Sequence, residues 1–280
     1  MGGTLMRFFR LLCAFLPLLL LPHAGRCVNL TGYSGKSGFH SNAGYQYVSF
    51  GQYAYEADGA EQPVLWRVLG PGTPEAADVI DEANVPPRAW GKEPNGDDCT
   101  GENADVYCLM SEYILDIILY NNYKDTDKGH GLNYEDSLMY STLNESVLHH
   151  MFTPEEQSVL VFMPDRGLLG LPTRKGELFR EDYGFVSEDF TFWEARRAKG
   201  TPYAKAHGLK RIDGHSWYFT ADWRRYGSRW IVGDNGHISV SGVDREGGVR
   251  LICYVHADML DSAGGAGTLS DPLRLVPLQQ

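Results

Sequence analysis

Basic charge, long apolar runs and cysteine are all in short supply in this chain, and each shortage excludes something. Lysine and arginine together number 25 against 36 aspartates and glutamates, a formal net charge of −11. So acidic a surface repels a phosphate backbone, and nucleic acid is not an expected partner. The longest apolar run, Leu11 to Leu21 (LLCAFLPLLLL), covers eleven residues, short of the roughly 20 that span a bilayer. Stable membrane insertion is therefore not expected of the mature chain. The motifs of several enzyme classes are missing as well. There is no G-x-S-x-G elbow for a serine nucleophile and no H-E-x-x-H. There is no C-x-x-C pair of the kind that holds zinc. Residues 34–38 (SGKSG) lack the upstream strand and full spacing of a phosphate loop. His149-His150, His207, His215, His237 and His256 are dispersed, and no internal repeat is present.

What is there begins with a targeting segment. Arg7 and Arg10 form a positive start, the run Leu11–Leu21 an apolar centre, and small residues follow in PHAGRC. This is the build of a signal peptide over residues 1–26, and it predicts a secreted or periplasmic protein. Arg26 directly before Cys27 argues against lipid attachment. Residues 27–44, rich in Gly, Ser and Asn, read as a flexible spacer. The main domain is expected over 45–260, with a surface insertion at 70–106 and a flexible C-terminal tail at 261–280. In an oxidising compartment Cys99 and Cys108, bracketing CTGENADVYC, are expected to form a disulfide worth about 2–3 kcal/mol. Cys253 lies in an apolar strand and reads as a small buried hydrophobe; a bond between Cys27 and Cys253 stays open. Asn29-Leu30-Thr31 and Asn144-Glu145-Ser146 are sequons, of consequence only in a glycosylating host.

The pattern along the domain is strands, then helices, then strands. YQYVSFGQYAY and PVLWRVL read as a hairpin, with a bend or bulge at Gly51. VYCLMSEYILDIILYN is ambiguous, read as a strand through Met110 followed by irregular chain. A helix is expected over 136–151. A second starts at Thr153-Pro154-Glu155-Glu156, where Thr153 caps and Glu156 completes a capping box. EDYGFVSEDFTFWEARR suggests a short strand and a helix. TPYAKAHGL suggests a short helix from Thr201-Pro202 to Gly208. SWYFTADW, SRWIVGDNGHISVSGV and GGVRLICYVHADM read as strands, with a tight turn at Gly233-Asp234-Asn235-Gly236. The expected class is α+β, helices packed on an antiparallel sheet, with the terminal strands able to pair.

The late region carries the candidate site. Trp217, Trp223 and Trp230 are interleaved with Arg224, Arg225 and Arg229. They suit either a stacking platform for a sugar or peptide or an aromatic core with its arginines paired to acids. Asp234 and Asn235 belong to the same candidate surface. With Asp244 and Glu246 they offer oxygens for calcium, the alternative being ordinary turn chemistry; no cofactor is otherwise expected.

Several elements, in order over about residues 47–256, resemble the bacterial domain of unknown function called DUF6273. They are Phe50-Gly51-Gln52-Tyr53 with PVLWRVL, LMSEYILDIILYN, YEDSLMYSTLNESVLHHMFTPEEQSVL, TPYAKAHGL, GHSWYFTADW and WIVGDNGHISVSGVDREGGVRLICYV. Two departures stand out: Tyr218-Phe219-Thr220 replaces the family's Leu-Arg-Ser, and Leu251 replaces the proline after Val249-Arg250. The resemblance implies a C-type-lectin-like mixed domain, related in organisation to formylglycine-generating enzymes, with paired terminal strands and a loop-rich late β-region. It implies no activity. A formylglycine-generating chemistry would need two late cysteines, and only Cys253 is there. Three functions follow as expectations: an exported, non-enzymatic binding module for a carbohydrate, peptide or cell-surface partner; a secreted enzyme acting on envelope or extracellular polymers, built on His215 or His237 with a carboxylate; and a structural or adhesion component.

Overall fold

The computed structural model describes residues 28–30, 45–71, 105–121, 134–164, 166–173, 196–225 and 227–279. The strands are β1 (Gln46–Ala54), β2 (Glu61–Pro71), β3 (Val106–Ser111), β4 (Asp116–Leu119), β5 (Tyr218–Arg225), β6 (Ser228–Val232), β7 (Ile238–Gly242), β8 (Glu246–Val249), β9 (Ile252–His256), β10 (Leu260–Ser262) and β11 (Leu273–Pro277). They form a six-stranded sheet, β10-β11-β1-β2-β3-β9, and a five-stranded sheet, β4-β8-β5-β6-β7. Pairing is antiparallel except between β1 and β11 and at a single β5–β8 bridge. The expected α+β class is what the described residues form.

The expected hairpin of β1 and β2 is present, and its register shifts between Ser49 and Gln52. Gly51 sits in that bulge with φ +68. A Cβ there would stand 2.5 Å from Phe152 Cε1. Left-handed backbone and close approach together require glycine.

Helix α1 runs through Leu138–Ser141, a π-helical stretch Thr142–Val147, and Leu148–Met151. Ser137 caps it, accepting from Tyr140 N. Its buried residues are Met139, Leu143, Val147, Leu148 and Met151, while Leu138 is 42% exposed. Its buried face therefore starts at Met139, with Leu138 turned to solvent. Asn144, in the π-helical stretch, donates to the carbonyls of Tyr140, Arg166 and Leu169 and accepts from the N–H groups of Leu168 and Leu169. It thus ties the 166–169 segment to the helix. Helix α2 (Pro154–Gln157) has the predicted capping box between Thr153 and Glu156. Helix α3 (Pro202–Ala206) starts from Thr201 and is followed by Gly208 at φ +103.

Both faces of β3 and β9 are covered. Leu109, Cys253 and Val255 enter one core layer, and Cys108, Met110, Ile252 and Tyr254 enter the other. Doubly buried strands carry no polar alternation, which is why VYCLMS and LICYV read as continuous apolar runs. Cys108 and Cys253 consequently point to opposite faces of the sheet. Cys253 is a buried free thiol, as expected, and burial pushes its pKa well above the usual range. Cys108 lies inside β3, fully buried, while Cys99 and most of the 70–106 insertion lie outside the described residues, as do residues 181–195 of the strand and helix expected over 181–197.

Four expectations need correction. First, the C-terminal segment is not a loose tail. β11 joins the large sheet beside β1 with Leu275 buried, and β10 pairs with β11. Second, residues 28–30 of the expected spacer are packed: Leu30 is buried and Val28 N donates to Leu260 O at 2.9 Å. Third, the 116–119 segment is a strand, β4, where irregular chain was expected; it pairs with β8. Fourth, GGVRLICYV is not one strand. It breaks at Arg250-Leu251 into β8 and β9, which belong to different sheets. The cause is Arg250, which turns inward. Its Nε donates to Ser111 O at 2.8 Å and its Nη1 to Tyr218 Oη at 3.2 Å.

Candidate functional site

Among the described residues of the late region, Trp217 and Trp230 do not share one surface. Phe219 pairs with Ile231, and Tyr218 with Val232. Trp217 keeps step with Phe219, its ring edge-on at 5.2 Å, while Trp230 keeps step with Val232. Pleat alternation therefore sends the two indoles to opposite faces of the small sheet. Trp217 covers the backbone of Gly247, where a Cβ would collide with its ring. Arg229 is buried, its guanidinium 5.0 Å from the centre of the Tyr120 ring. Trp223, Arg224 and Arg225 belong to β5, but their side chains lie outside the described set.

The turn expected at 233–236 joins β6 to β7, and its side chains serve it. Asp234 Oδ1 accepts from Asn235 N at 3.0 Å, and Asn235 Oδ1 accepts from His237 N at 3.0 Å. Arg197 Nε donates to Asp234 O. This is the turn chemistry set against calcium in the sequence reading. Among the described residues no group of three or more His, Cys, Asp or Glu stands where it could hold a metal ion. His215 Nδ1 lies 3.2 Å from the backbone oxygen of Asp213, and His237 is exposed beside the turn.

A different cluster does converge from separate parts of the chain. Tyr53 is the last residue but one of β1, Tyr55 follows the strand, Tyr113 precedes β4, Asp116 opens it, and Tyr203 sits in the first turn of α3. Thr201 locks these pieces together. It is fully buried; its N–H donates to Ile114 O at 3.0 Å, its Oγ1 donates to Leu115 O at 3.2 Å and accepts from Ala204 N at 3.1 Å. Tyr203 N donates to Tyr55 O at 2.8 Å, so the first turn of α3 is fixed to the end of β1.

At the centre Tyr53 Oη donates to Asp116 Oδ2 at 2.7 Å, and Ile117 N donates to Asp116 Oδ1 at 2.7 Å. Burial, reinforced by Asp116, pushes the Tyr53 phenol far above its usual range, so it stays a donor. Each carboxylate oxygen has two lone pairs, so Asp116 is held in one orientation with acceptor capacity left over. Beside it the rings of Tyr53 and Tyr203 meet edge-to-face at 6.4 Å, and Tyr55, whose carbonyl accepts from Tyr203 N, meets Tyr113 at 6.0 Å. His207 packs on Tyr203 at 4.0 Å. His150 stands edge-on to Tyr53 at 5.6 Å, with its Nε2 3.0 Å from Glu61 Oε1. Tyr55, Tyr113, Asp116 and Tyr203 are all half-buried. Each is anchored on one side and open on the other, the form a recognition surface takes.

Sequence reasoning missed this cluster. The only local trace was the helix start at Thr201-Pro202; the tyrosines look like ordinary members of a set of 16. In comparison with known proteins, no family model, no curated protein and no solved structure matches the chain.

Proposed function

We propose that this chain is an exported, non-enzymatic binding module that recognises an extracellular or envelope partner at the surface formed by Tyr53, Tyr55, Tyr113, Asp116 and Tyr203. The observation that carries the reading is Asp116, oriented by Tyr53 and Ile117, with the half-buried Tyr203 brought beside it on a separate segment. A fixed acceptor among aromatic faces suits recognition of a ligand without needing a nucleophile or a metal. Export is supported by Arg7, Arg10 and the apolar run that follows. Among the described residues no helix is long and apolar enough to cross a membrane. The DUF6273-like reading rests on the order of its sequence elements over residues 47–256, and the C-type-lectin-like reading is supported by the pairing of β1 with β11, the first and last described strands. Fold likeness would not by itself give a ligand, which is why the function rests on the cluster.

The test is binding of the full mature chain to glycan and peptide arrays, comparing wild type with Tyr203→Ala and, as a control far from the cluster, Trp230→Ala. Tyr203→Ala is expected to weaken binding about tenfold with little change in thermal midpoint, while Trp230→Ala leaves binding intact. Loss confined to Trp230→Ala would move the surface to the late region, and no binding by wild type to either array would sink the module reading.

A further inference from the structure

We propose that the leader is removed by hydrolysis of the Cys27–Val28 peptide bond, so that the mature chain starts at Val28 with its new amino group against β10. This rests on the reading of the first residues as an export signal. It adds the site that a signal peptidase cuts, one residue beyond the 1–26 span expected from the sequence.

The sequence alone leaves four cuts open. Signal peptidase takes a small residue just before the cut and another two positions earlier. Between Leu21 and Tyr45 that spacing is met by Gly25 and Cys27, Gly32 and Ser34, Gly35 and Ser37, and Ser41 and Ala43. The structure separates them. Leu30 is 2% exposed and belongs to the larger core layer, and Val28 packs against the same layer. Val28 N donates to Leu260 O at 2.9 Å, and Gln46 Nε2 donates to Asn29 O at 3.3 Å. Residues 28–30 are thus tied to both β10 and β1. Among the described residues β10 is the outermost strand of the large sheet, and an open strand edge is a liability that a covering segment removes. A cut after Ser34, Ser37 or Ala43 would discard all three residues and expose the apolar surface that Leu30 covers. A cut after Cys27 keeps them.

The chemistry of the new terminus fits its place. Water adds across the Cys27–Val28 bond, its hydroxyl going to the Cys27 carbonyl carbon and a proton to the Val28 nitrogen. That nitrogen already donates to Leu260 O. As an ammonium it keeps the bond, now charge-assisted. Val28 is only half-buried, so solvent reaches the remaining hydrogens. The cut also removes Cys27 with the leader. The bond between Cys27 and Cys253 left open by the sequence is then absent from the mature chain, and the fully buried Cys253 stays a free thiol.

The experiment is expression of the full chain with its own leader in a bacterial secretion host, followed by N-terminal sequencing and intact mass of the exported and cell-retained protein. The exported chain is expected to begin Val28-Asn29-Leu30 and to have the mass of residues 28–280. Gly25→Leu, which spoils the position two before Cys27, should leave uncut precursor in the cell. An exported chain that starts elsewhere, at Gly35 or at a lipid-bearing Cys27, overturns the cut while export stands. Wild-type chain found only uncut in the cytoplasm overturns the cut and the export reading together. Two further proteins, made to start at Val28 and at Gly35, test the structural argument without any host. The Gly35 chain is expected to unfold at a lower urea midpoint, and equal midpoints overturn the structural basis for choosing Cys27–Val28.

Discussion

Replacing Arg250 with alanine is expected to lower stability by about 3–5 kcal/mol, because it removes several buried hydrogen bonds from a charged donor and leaves a cavity where the two sheets meet. Arg250 is fully buried, where the chain leaves β8 for β9. Its Nε donates to Ser111 O, and its Nη1 to Tyr218 Oη at 3.2 Å and Arg196 O at 3.4 Å. Tyr218 Oη in turn donates to Arg196 O at 2.8 Å, and Leu251 N donates to Ser111 Oγ at 2.9 Å. One guanidinium thereby joins the end of β3, the start of β5 and the 196 segment. Alanine strips the donors from Ser111 O and leaves a cavity beside Tyr218, whose ring lies 5.6 Å from the guanidinium. Lysine restores charge but not a planar fork of donors, so Arg250→Lys should recover only part of the loss. Urea unfolding of the three proteins measures this. A cost below about 1 kcal/mol for Arg250→Ala, the worth of an ordinary single hydrogen bond, would mean that Arg250 does not hold the junction.

Trp66→Ala is expected to cost a similar amount, about 3–5 kcal/mol, for a different reason: cavity creation. Trp66 on β2 has 0% exposure. Its ring lies stacked over Phe152 at 6.4 Å, and its Nε1 donates to Phe50 O at 2.8 Å, closing the bulge that Gly51 opens. Truncation removes the contacts, takes the indole donor from the Phe50 carbonyl and leaves Phe152 with Phe50 as its remaining aromatic neighbour. Trp66→Phe keeps most of the volume and loses mainly the hydrogen bond, so about 1–2 kcal/mol is expected. Against a total stability of about 5–15 kcal/mol, the alanine variant should unfold at a clearly lower urea midpoint. Equal midpoints for Trp66→Ala and Trp66→Phe would contradict the cavity explanation.

Features set within a few residues were legible in the sequence. The capping box at Thr153-Pro154-Glu155-Glu156 needs only its own backbone, and it formed as read. So did the Gly233–Gly236 turn, where Gly236 has φ +83 and its N–H donates to Gly233 O at 2.9 Å. The first hairpin followed from its alternation. What failed depended on distant partners. LRLVP near the C-terminus becomes a strand because β1 lies alongside it, and no local pattern announces a parallel neighbour. The break at Arg250 follows from Ser111, 139 residues away.

The functional surface was illegible for the same reason. Tyr53 and Asp116 are 63 positions apart, and Tyr203 enters through a helix fixed by Thr201. In sequence a half-buried tyrosine looks like any other. The tryptophan and arginine run drew notice because it is dense, but a strand divides a dense run between two faces.

The most direct measurement is an amide chemical-shift map of the labelled mature chain titrated with its strongest array binder. The predicted result is a set of shifts centred on Tyr55, Tyr113, Ile117 and Tyr203, with the 233–237 turn unmoved. Shifts concentrated at Gly233–His237 and around Trp217, with Ile117 and Tyr203 unmoved, would contradict it.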